Sequence, residues 1–339
     1  MQKKIAIWFP TVRTGTGTDV FTERLVQGLN EQGIKAEITW LPLRAEYAPW
    51  TVDIPQPPAW ATVVHVNTWL HSRFLPKNLP VVATLHHSIH DPELRPYKGW
   101  LRAMYHQYWI APNERRVMKK ANQVIAVSQF VADMAKKTLC DVPMQVIYNG
   151  IDTDKFKPDP NVKKPHQPFR LLYVGSWITR KGVDLLAPIM RELGDDFVLH
   201  YTGGEAAEKD KPAMPPNMVD IGRLTSDEVV IAMQNADAFL FPTRSEGFGL
   251  VVAEAMACGL PIVTTKETCL EEIITLEELG YLCSKDNILS FSRAIEKLSQ
   301  KKYLYSIPQE HKISCEINKY SIENFLISHM GLYKNLCFH

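Results

Sequence analysis

Residues 239–265 read FLFPTRSEGFGLVVAEAMACGLPIVTT. A buried apolar run ends at Pro242, and the polar stretch after it carries Glu246. Gly247-Phe248-Gly249 then opens an apolar helix that reaches about Ala257, is closed by Gly259, and leads through Pro261 into another strand. Strand, glycine turn and helix in that order make a seat for an anion. Glycine lets the backbone approach a ligand, and the helix start offers unpaired N–H groups and the positive end of its dipole. Glu246 stands just ahead of the turn, and Glu254, eight positions on, lies over a turn into the helix. At a rise of about 1.5 Å per residue the two carboxylates lie several ångströms apart. They flank a diphosphate at the helix mouth, one placed to accept hydrogen bonds from a sugar and the other from a ribose.

Short apolar runs alternate with helical stretches on both sides of this segment. Upstream the strand candidates are 5–9, 36–41, 62–66, 81–86, 124–127 and 145–148, and nearer to it 170–174, 197–202, 218–221, 238–241 and 261–265. Near-continuous apolar character fits strands covered on both faces, hence parallel sheets flanked by helices. A long helical pattern over about 97–120 is expected to break at Pro112. The stretch 152–168 has four prolines, several lysines and no apolar periodicity, and reads as an interdomain linker. Two βα-alternating halves joined by such a linker predict two doubly wound α/β domains with an interdomain cleft, and chemistry in the loops that follow strands.

The chain has 339 residues, enough for two domains on the usual scale of roughly 150 residues each. With 45% hydrophobic and 22% charged residues it is neither a disordered tail nor a fibrous repeat. No window approaches the roughly 18–20 unbroken apolar residues of a membrane span, and the opening MQKKIAIWFP reads as a strand and not a leader. The six cysteines, at 140, 258, 269, 283, 315 and 337, show no CxxC spacing, so free thiols in a reducing cytoplasm are expected. Net charge is +1, which points to no nucleic-acid partner. Residues 1–165 nevertheless carry 21 Lys and Arg against 14 Asp and Glu, a net +7, and the remainder a net −6. Halves so unlike suggest different partners.

The Glu-x7-Glu pattern inside EGFGLVVAEAMACGLPIVTT resembles the signature of the family 4 retaining glycosyltransferases of GT-B fold, and further matches run over most of the chain. The resemblance implies two Rossmann-like domains: an acceptor-side domain over 1–160, onto which a C-terminal helix at about 321–336 packs back, and a nucleotide-sugar donor domain over 169–318. Glu246 matches the carboxylate on the donor sugar. Phe248, Gly249 and Leu250 match the residues whose amides lie near sugar and phosphate, and Glu254 the acid on the ribose hydroxyls. In VGSWITRKG (174–182), Gly175 and Lys181 match the loop that places an Arg and a Lys on the diphosphate. The Arg position is Ser176 here, and Arg180 is the nearby cation able to replace it. Either way the loop offers two cations to a departing diphosphate. The loop Gly203-Gly204 and the segment with Arg223 and Leu224 resemble nucleotide-side elements. Where family members often carry one or two glycines before an acidic segment, this chain has Thr268-Cys269.

In the first half, RTGTGT (13–18) resembles the glycine loop that faces the donor diphosphate through Gly15 and Gly17, and His86 matches a histidine directed at the sugar for positioning or hydrogen bonding. Ser128 and the stretch 149–156 match positions read here as structural. Asp152-Thr153-Asp154 spells the metal motif of a different glycosyltransferase fold but sits where a turn and a helix cap are expected.

Between Arg95 and Lys120 lie seven basic residues and one acid, Glu114, with Tyr97, Trp100, Tyr105, Tyr108 and Trp109 interleaved. A basic helix with aromatics suits an anionic membrane surface, at about 1 kcal/mol per cation. The sequence therefore predicts a retaining, metal-independent enzyme that uses no cofactor. It moves a hexose-type sugar from a UDP- or GDP-sugar to an acceptor hydroxyl, on a glycan or lipid-linked acceptor, in surface polysaccharide synthesis. It works in the cytoplasm, peripheral to the inner face of the membrane. A GT-B sugar-nucleotide epimerase and a catalytically lapsed sugar-nucleotide-binding subunit are the competing readings.

Overall fold

The computed structural model describes residues 4–162, 165–300 and 316–338. Cys315 and the end of the expected donor domain over 301–315 lie outside them. The chain divides into two units, residues 1–150 with 323–339, and residues 151–322.

The first unit holds a six-stranded parallel sheet: β1 (Ala6–Val12), β2 (Lys35–Leu41), β3 (Val63–Asn67), β4 (Val81–Leu85), β5 (Gln123–Ala126) and β6 (Met144–Val146), in the order β2-β1-β3-β4-β5-β6. Every residue of β1, β3 and β4 is buried, whereas the edge strands β2 and β6 are only partly buried. That difference is what a sheet covered on both faces produces, and it is why the central strands were the easiest to read. Trp8 in β1 anchors an apolar core with Val12, Val64, Leu70 and Phe74, and its indole N–H donates to Thr39 at 2.7 Å. The helices are α1 (Gly17–Glu31), α2 (Trp100–Tyr105), α3 (Ala111–Lys120) and α4 (Gln129–Thr138). The Ser128 side chain caps α4 by accepting from Val131 N–H.

The expected break at Pro112 is instead a widening. The helical rod is continuous from Trp100 to Lys120, with a π-turn over His106–Ile110 just ahead of the proline. Proline donates no N–H and its ring crowds the carbonyl four residues back; a wider turn relieves the crowding without ending the helix.

The second unit repeats the theme with β7 (Phe169–Tyr173), β8 (Phe197–Tyr201), β9 (Met218–Asp220), β10 (Ala238–Phe241), β11 (Ile262–Thr265) and β12 (Gly280–Cys283), ordered β12-β11-β10-β7-β8-β9 and parallel throughout. Its helices are α5 (Val183–Leu193), α6 (Ser226–Gln234), α7 (Leu250–Ala257) and α8 (Ile288–Gln300). β12 escaped the sequence reading because it opens on glycine, which weakens a strand signal. Gly280 has φ 147°, and a Cβ there would meet the Ile262 carbonyl oxygen at 1.9 Å. The last helix, α9 (Ile322–Phe338), returns to the first unit, where Leu326 lies against Gly28 so closely that a Cβ on the glycine would meet it at 2.6 Å.

Candidate active site

Sheets of this kind bind ligands beyond the carboxyl ends of their strands, at the point where strand order reverses. In the second unit that point lies between β7 and β10. The loop after β7 turns through Thr179–Lys181 and the loop after β10 runs through Thr243–Glu246. Their backbones are stitched together, Arg244 N–H donating to the Arg180 carbonyl at 2.9 Å.

Three side chains meet on this seam. Glu246 is buried, 7% exposed, and its Oε1 lies 2.5 Å from Lys181 Nζ and 3.8 Å from an Arg180 Nη1 that also donates to the Ser245 carbonyl at 2.6 Å. The Thr243 hydroxyl donates to the same Oε1 at 2.9 Å. Two cations and a hydroxyl thus converge on one carboxylate oxygen. Burial and the Glu246 charge push the Tyr173 phenol well above its ordinary value, and the same causes hold the Cys269 thiol protonated. Neither is a ready nucleophile. Ser245 Oγ is buried without a hydrogen-bond partner among the described residues, an unspent polar group beside Glu246.

The mouth of α7 follows at once. Gly249 takes φ 89°, a left-handed conformation, and a Cβ there would meet Leu270 Cδ2 at 2.3 Å. No side chain caps this helix, so its first amides point out past a glycine. Phe248 turns inward, 3% exposed, and packs on Tyr320. Glu254 sits half-buried in the second turn of α7. Ser176 is exposed, and its carbonyl accepts from Tyr173 at 3.1 Å. Gly175 N–H donates to Thr202 Oγ1 at 3.0 Å.

On the far side of β7, Asp220 gathers the glycine loop. It accepts from the N–H groups of Gly203 (3.1 Å), Gly204 (3.1 Å) and Gly222 (2.9 Å) and pairs with Lys211 at 3.0 Å. Burial alone would raise its carboxyl, but these donors hold it at about 2. Exposed Arg223 and half-buried Leu224 follow this loop.

The remaining candidates belong to the first unit, where order reverses between β1 and β3. Asn67 at the end of β3 donates to Thr11 Oγ1 at 3.0 Å, which leaves its Oδ1 to accept from His86 Nε2–H at 2.8 Å. His86 Nδ1 therefore carries the lone pair. Burial, with His329 nearby, pushes the ring down to about 3. The loop with Gly15 and Gly17 is exposed, but the Asp19 carboxylate reaches back to accept from Thr14 N–H at 2.9 Å and Gly15 N–H at 2.7 Å. Of the two glycine amides expected to face phosphate, that of Gly15 is thereby taken within the loop. Phe21, four residues into α1, sets its ring edge-on to His86 at 4.6 Å.

Two adjoining family profiles match the chain: glycosyltransferase family 4 over residues 59–155 and glycosyl transferases group 1 over residues 154–316. The chain belongs to the GT-B glycosyltransferases. Among curated relatives, an uncharacterized glycosyltransferase of Methanocaldococcus jannaschii is 29% identical over 49% of this chain and 46% of its own. The capsular polysaccharide biosynthesis glycosyltransferase CapM of Staphylococcus aureus is 28% identical over 55% of this chain and 54% of its own. The chain spans about half the length of these relatives. Among solved structures, sucrose-phosphate synthase of Thermosynechococcus elongatus superposes with a TM-score of 0.78 at 16% identity, covering 98% of this chain and 99% of that one. Anabaena HepE in complex with UDP and glucose superposes with a TM-score of 0.71 at 16% identity, covering 98% and 100%. These likenesses establish the fold.

In this GT-B glycosyltransferase the sequence did not point to the brace behind the Lys181–Glu246 pair. Arg244, buried, forks onto Asp184 (2.6 and 2.8 Å) at the start of α5, reaches Asp286 at 2.7 Å and also donates to the Thr179 carbonyl. Arg180 and Lys181 thus sit between Thr179 and Asp184, both of which Arg244 grips. Behind them Gly182, φ 72°, lies so close to β10 that a Cβ would meet the Pro242 carbonyl oxygen at 1.9 Å. The Thr268-Cys269 departure is accommodated locally. Glu267 takes the positive φ of 62°, its N–H held by Glu271 Oε1 at 2.6 Å, and Thr268 caps the following turn. Asp152 accepts from the N–H groups of Asp154 and Lys155 at 3.1 and 3.0 Å, which makes it the cap of a turn.

Proposed function

We propose that this glycosyltransferase moves a hexose-type sugar, with retention, from a UDP- or GDP-sugar to an acceptor hydroxyl in surface polysaccharide synthesis, without a metal ion. The observation that carries the reading is the convergence of Lys181 and Arg180 on Glu246 at the strand-order reversal, beside the uncapped mouth of α7. The diphosphate lies against the α7 amides and Lys181, with Arg180 supplying the second cation that Ser176 does not. Glu246 faces the sugar hydroxyls and Glu254 the ribose. His86 is the first unit's candidate for positioning the sugar, through its neutral ring and strand-end backbone, and Gly15 and Gly17 are its candidates for the diphosphate. Asp220, Arg223 and Leu224 border the nucleotide.

In the step itself the bond from the sugar's anomeric carbon to the phosphate oxygen breaks, and its electron pair leaves with the diphosphate. The acceptor oxygen bonds to the same face, and its proton passes to the departing phosphate. Fixed cations stabilise the charge that develops on that phosphate. HepE, complexed with UDP and glucose, and CapM, named for capsular polysaccharide synthesis, make a uridine nucleotide and a glycan or lipid-linked acceptor the first choices.

A thermal-shift panel of UDP-, GDP- and ADP-sugars tests the donor: the true nucleotide raises the melting temperature in a concentration-dependent way. No shift from any of them refutes the donor assignment. Chelation tests the metal: turnover survives EDTA under this reading, whereas complete loss restored by Mn²⁺ contradicts it.

A further inference from the structure

We propose that a cavity beside α2 in the first unit binds the phosphate of an acidic lipid, with Trp100, Leu101, Met104 and Tyr108 lying in the lipid surface. The cavity, of about 960 Å³, is walled by the 89–98 turn, by α2 with its π-turn, and by the start of α3. Three cations line it, Arg95, Lys98 and Arg115, together with the imidazoles of His90 and His106. The lining has a single carboxylate, that of Asp91, which is buried and accepts from Glu93 N–H at 2.9 Å. Arg115 is held by neutral carbonyls, those of Leu139 at 2.8 Å and Thr138 at 3.1 Å, so its position is fixed while its charge is not neutralised. His106 Nδ1 is buried with no hydrogen-bond partner among the described residues. The one acid among the seven cations between 95 and 120, Glu114, is 2% exposed, accepts from Thr68 at 2.8 Å and lies 2.7 Å from His90 Nε2. The outward face of this segment therefore carries cations and no anion.

The apolar half of the argument comes from the same helix. Trp100 (70% exposed), Met104 and Tyr108 (69%) both line the cavity and face solvent. Leu101, 66% exposed, stands beside them but outside the cavity. The spacing 100, 101, 104, 108 puts them on one face. The other face is fastened down: Tyr105 donates to Glu46 Oε1 and Trp109 to the Glu46 carbonyl, each at 2.9 Å. A free nucleotide would satisfy the cations and stack on a ring, but it would leave Leu101 and Met104 in water. A phosphate at the edge of a lipid layer meets both requirements, because aromatic and aliphatic side chains enter the interface while Arg and Lys reach the headgroups.

The inference deepens the reading of a lipid-linked acceptor and rests on it for its purpose, but its test does not depend on turnover. Full-length protein is sedimented at low salt with vesicles of phosphatidylcholine alone or containing phosphatidylglycerol. Binding to the anionic vesicles only is expected, weakened about fivefold by Arg95→Gln and tenfold or more by Trp100→Ser with Tyr108→Ser. Nucleotide-induced thermal shifts of the variants report folding and the donor site separately. Absence of binding to anionic vesicles, or undiminished binding by the Trp100→Ser/Tyr108→Ser variant, overturns the proposal. So does saturation by soluble glycerol phosphate with no vesicle binding, which would make the cavity a site for free phosphate esters.

Discussion

The two sheets carry opposite chemistry at equivalent places. At the reversal between β1 and β3 the groups are neutral: a Thr11–Asn67–His86 chain, backed by buried His65 and His329. At the reversal between β7 and β10 they are charged: Lys181, Arg180 and Glu246, braced by Arg244 on Asp184 and Asp286. One architecture makes a gap between strand ends; the side chains planted there decide whether it handles charge or hydrogen bonds.

The largest effect expected is on the charged side. Glu246→Ala and Lys181→Ala each lower turnover by about 10²–10³-fold, the range seen when a fixed electrostatic partner is removed, while the fold survives. If His86→Ala costs more than either, the contrast between the two ends is reversed.

The brace gives a mixed effect. Arg244→Met removes a buried guanidinium but leaves Asp184 and Asp286 half in water, so the loss of stability is about 2 kcal/mol, below the usual cost of orphaning a buried ion. Turnover falls further than stability, because Lys181 is no longer framed. Donor KM and kcat measured at a temperature where the variant is fully folded separate the two, and an unchanged kcat would reduce Arg244 to a structural role.

A smaller effect belongs to the neutral side. His65 is buried between Thr84 and Tyr333, each at 2.6 Å, and its ring is held far below the ordinary histidine value by burial, then by His329 and His86. Burial pushes His329 down to about 4 and His86 to about 3. These rings are neutral in the fold, so their contribution is whole above about pH 6.5 and is lost as pH falls toward the folded values. Between pH 6.5 and 5 His86 and His329 each cost about 2 kcal/mol. Thermal melts at pH 7.5 and 5 check this, and His329→Phe makes the difference smaller. A pH-independent melting temperature would deny that the fold holds these three rings neutral.

The central strands and the 239–265 segment were legible because their signals are local: apolar runs, glycines and a carboxylate within a few residues of one another. The brace was not, since Arg244 meets Asp184 60 residues upstream and Asp286 42 residues downstream, and an Arg in a polar loop looks like solvated surface. β12 was lost because it opens on a glycine, which weakens a strand signal. Asp19 lies in the first turn of α1, and nothing in its spacing says that its carboxylate turns back to occupy the loop amides. His65 hid for another reason: an isolated histidine within a strand reveals nothing of a tyrosine 268 residues away.

The polypeptide passes between its two units twice, after residue 150 and after residue 322. The crossings are sewn side by side: Ile151 N–H donates to the Tyr320 carbonyl at 2.8 Å and Ile322 N–H to the Ile151 carbonyl at 2.9 Å. The first unit is thus made of two separate lengths of chain, whereas the second is one uninterrupted length inserted between them. A fragment ending at the first crossing would leave behind the hydroxyl that His65 needs and the leucine that fills the hollow over Gly28, so isolating the first unit requires joining its two lengths or a circular permutation and not a simple cut.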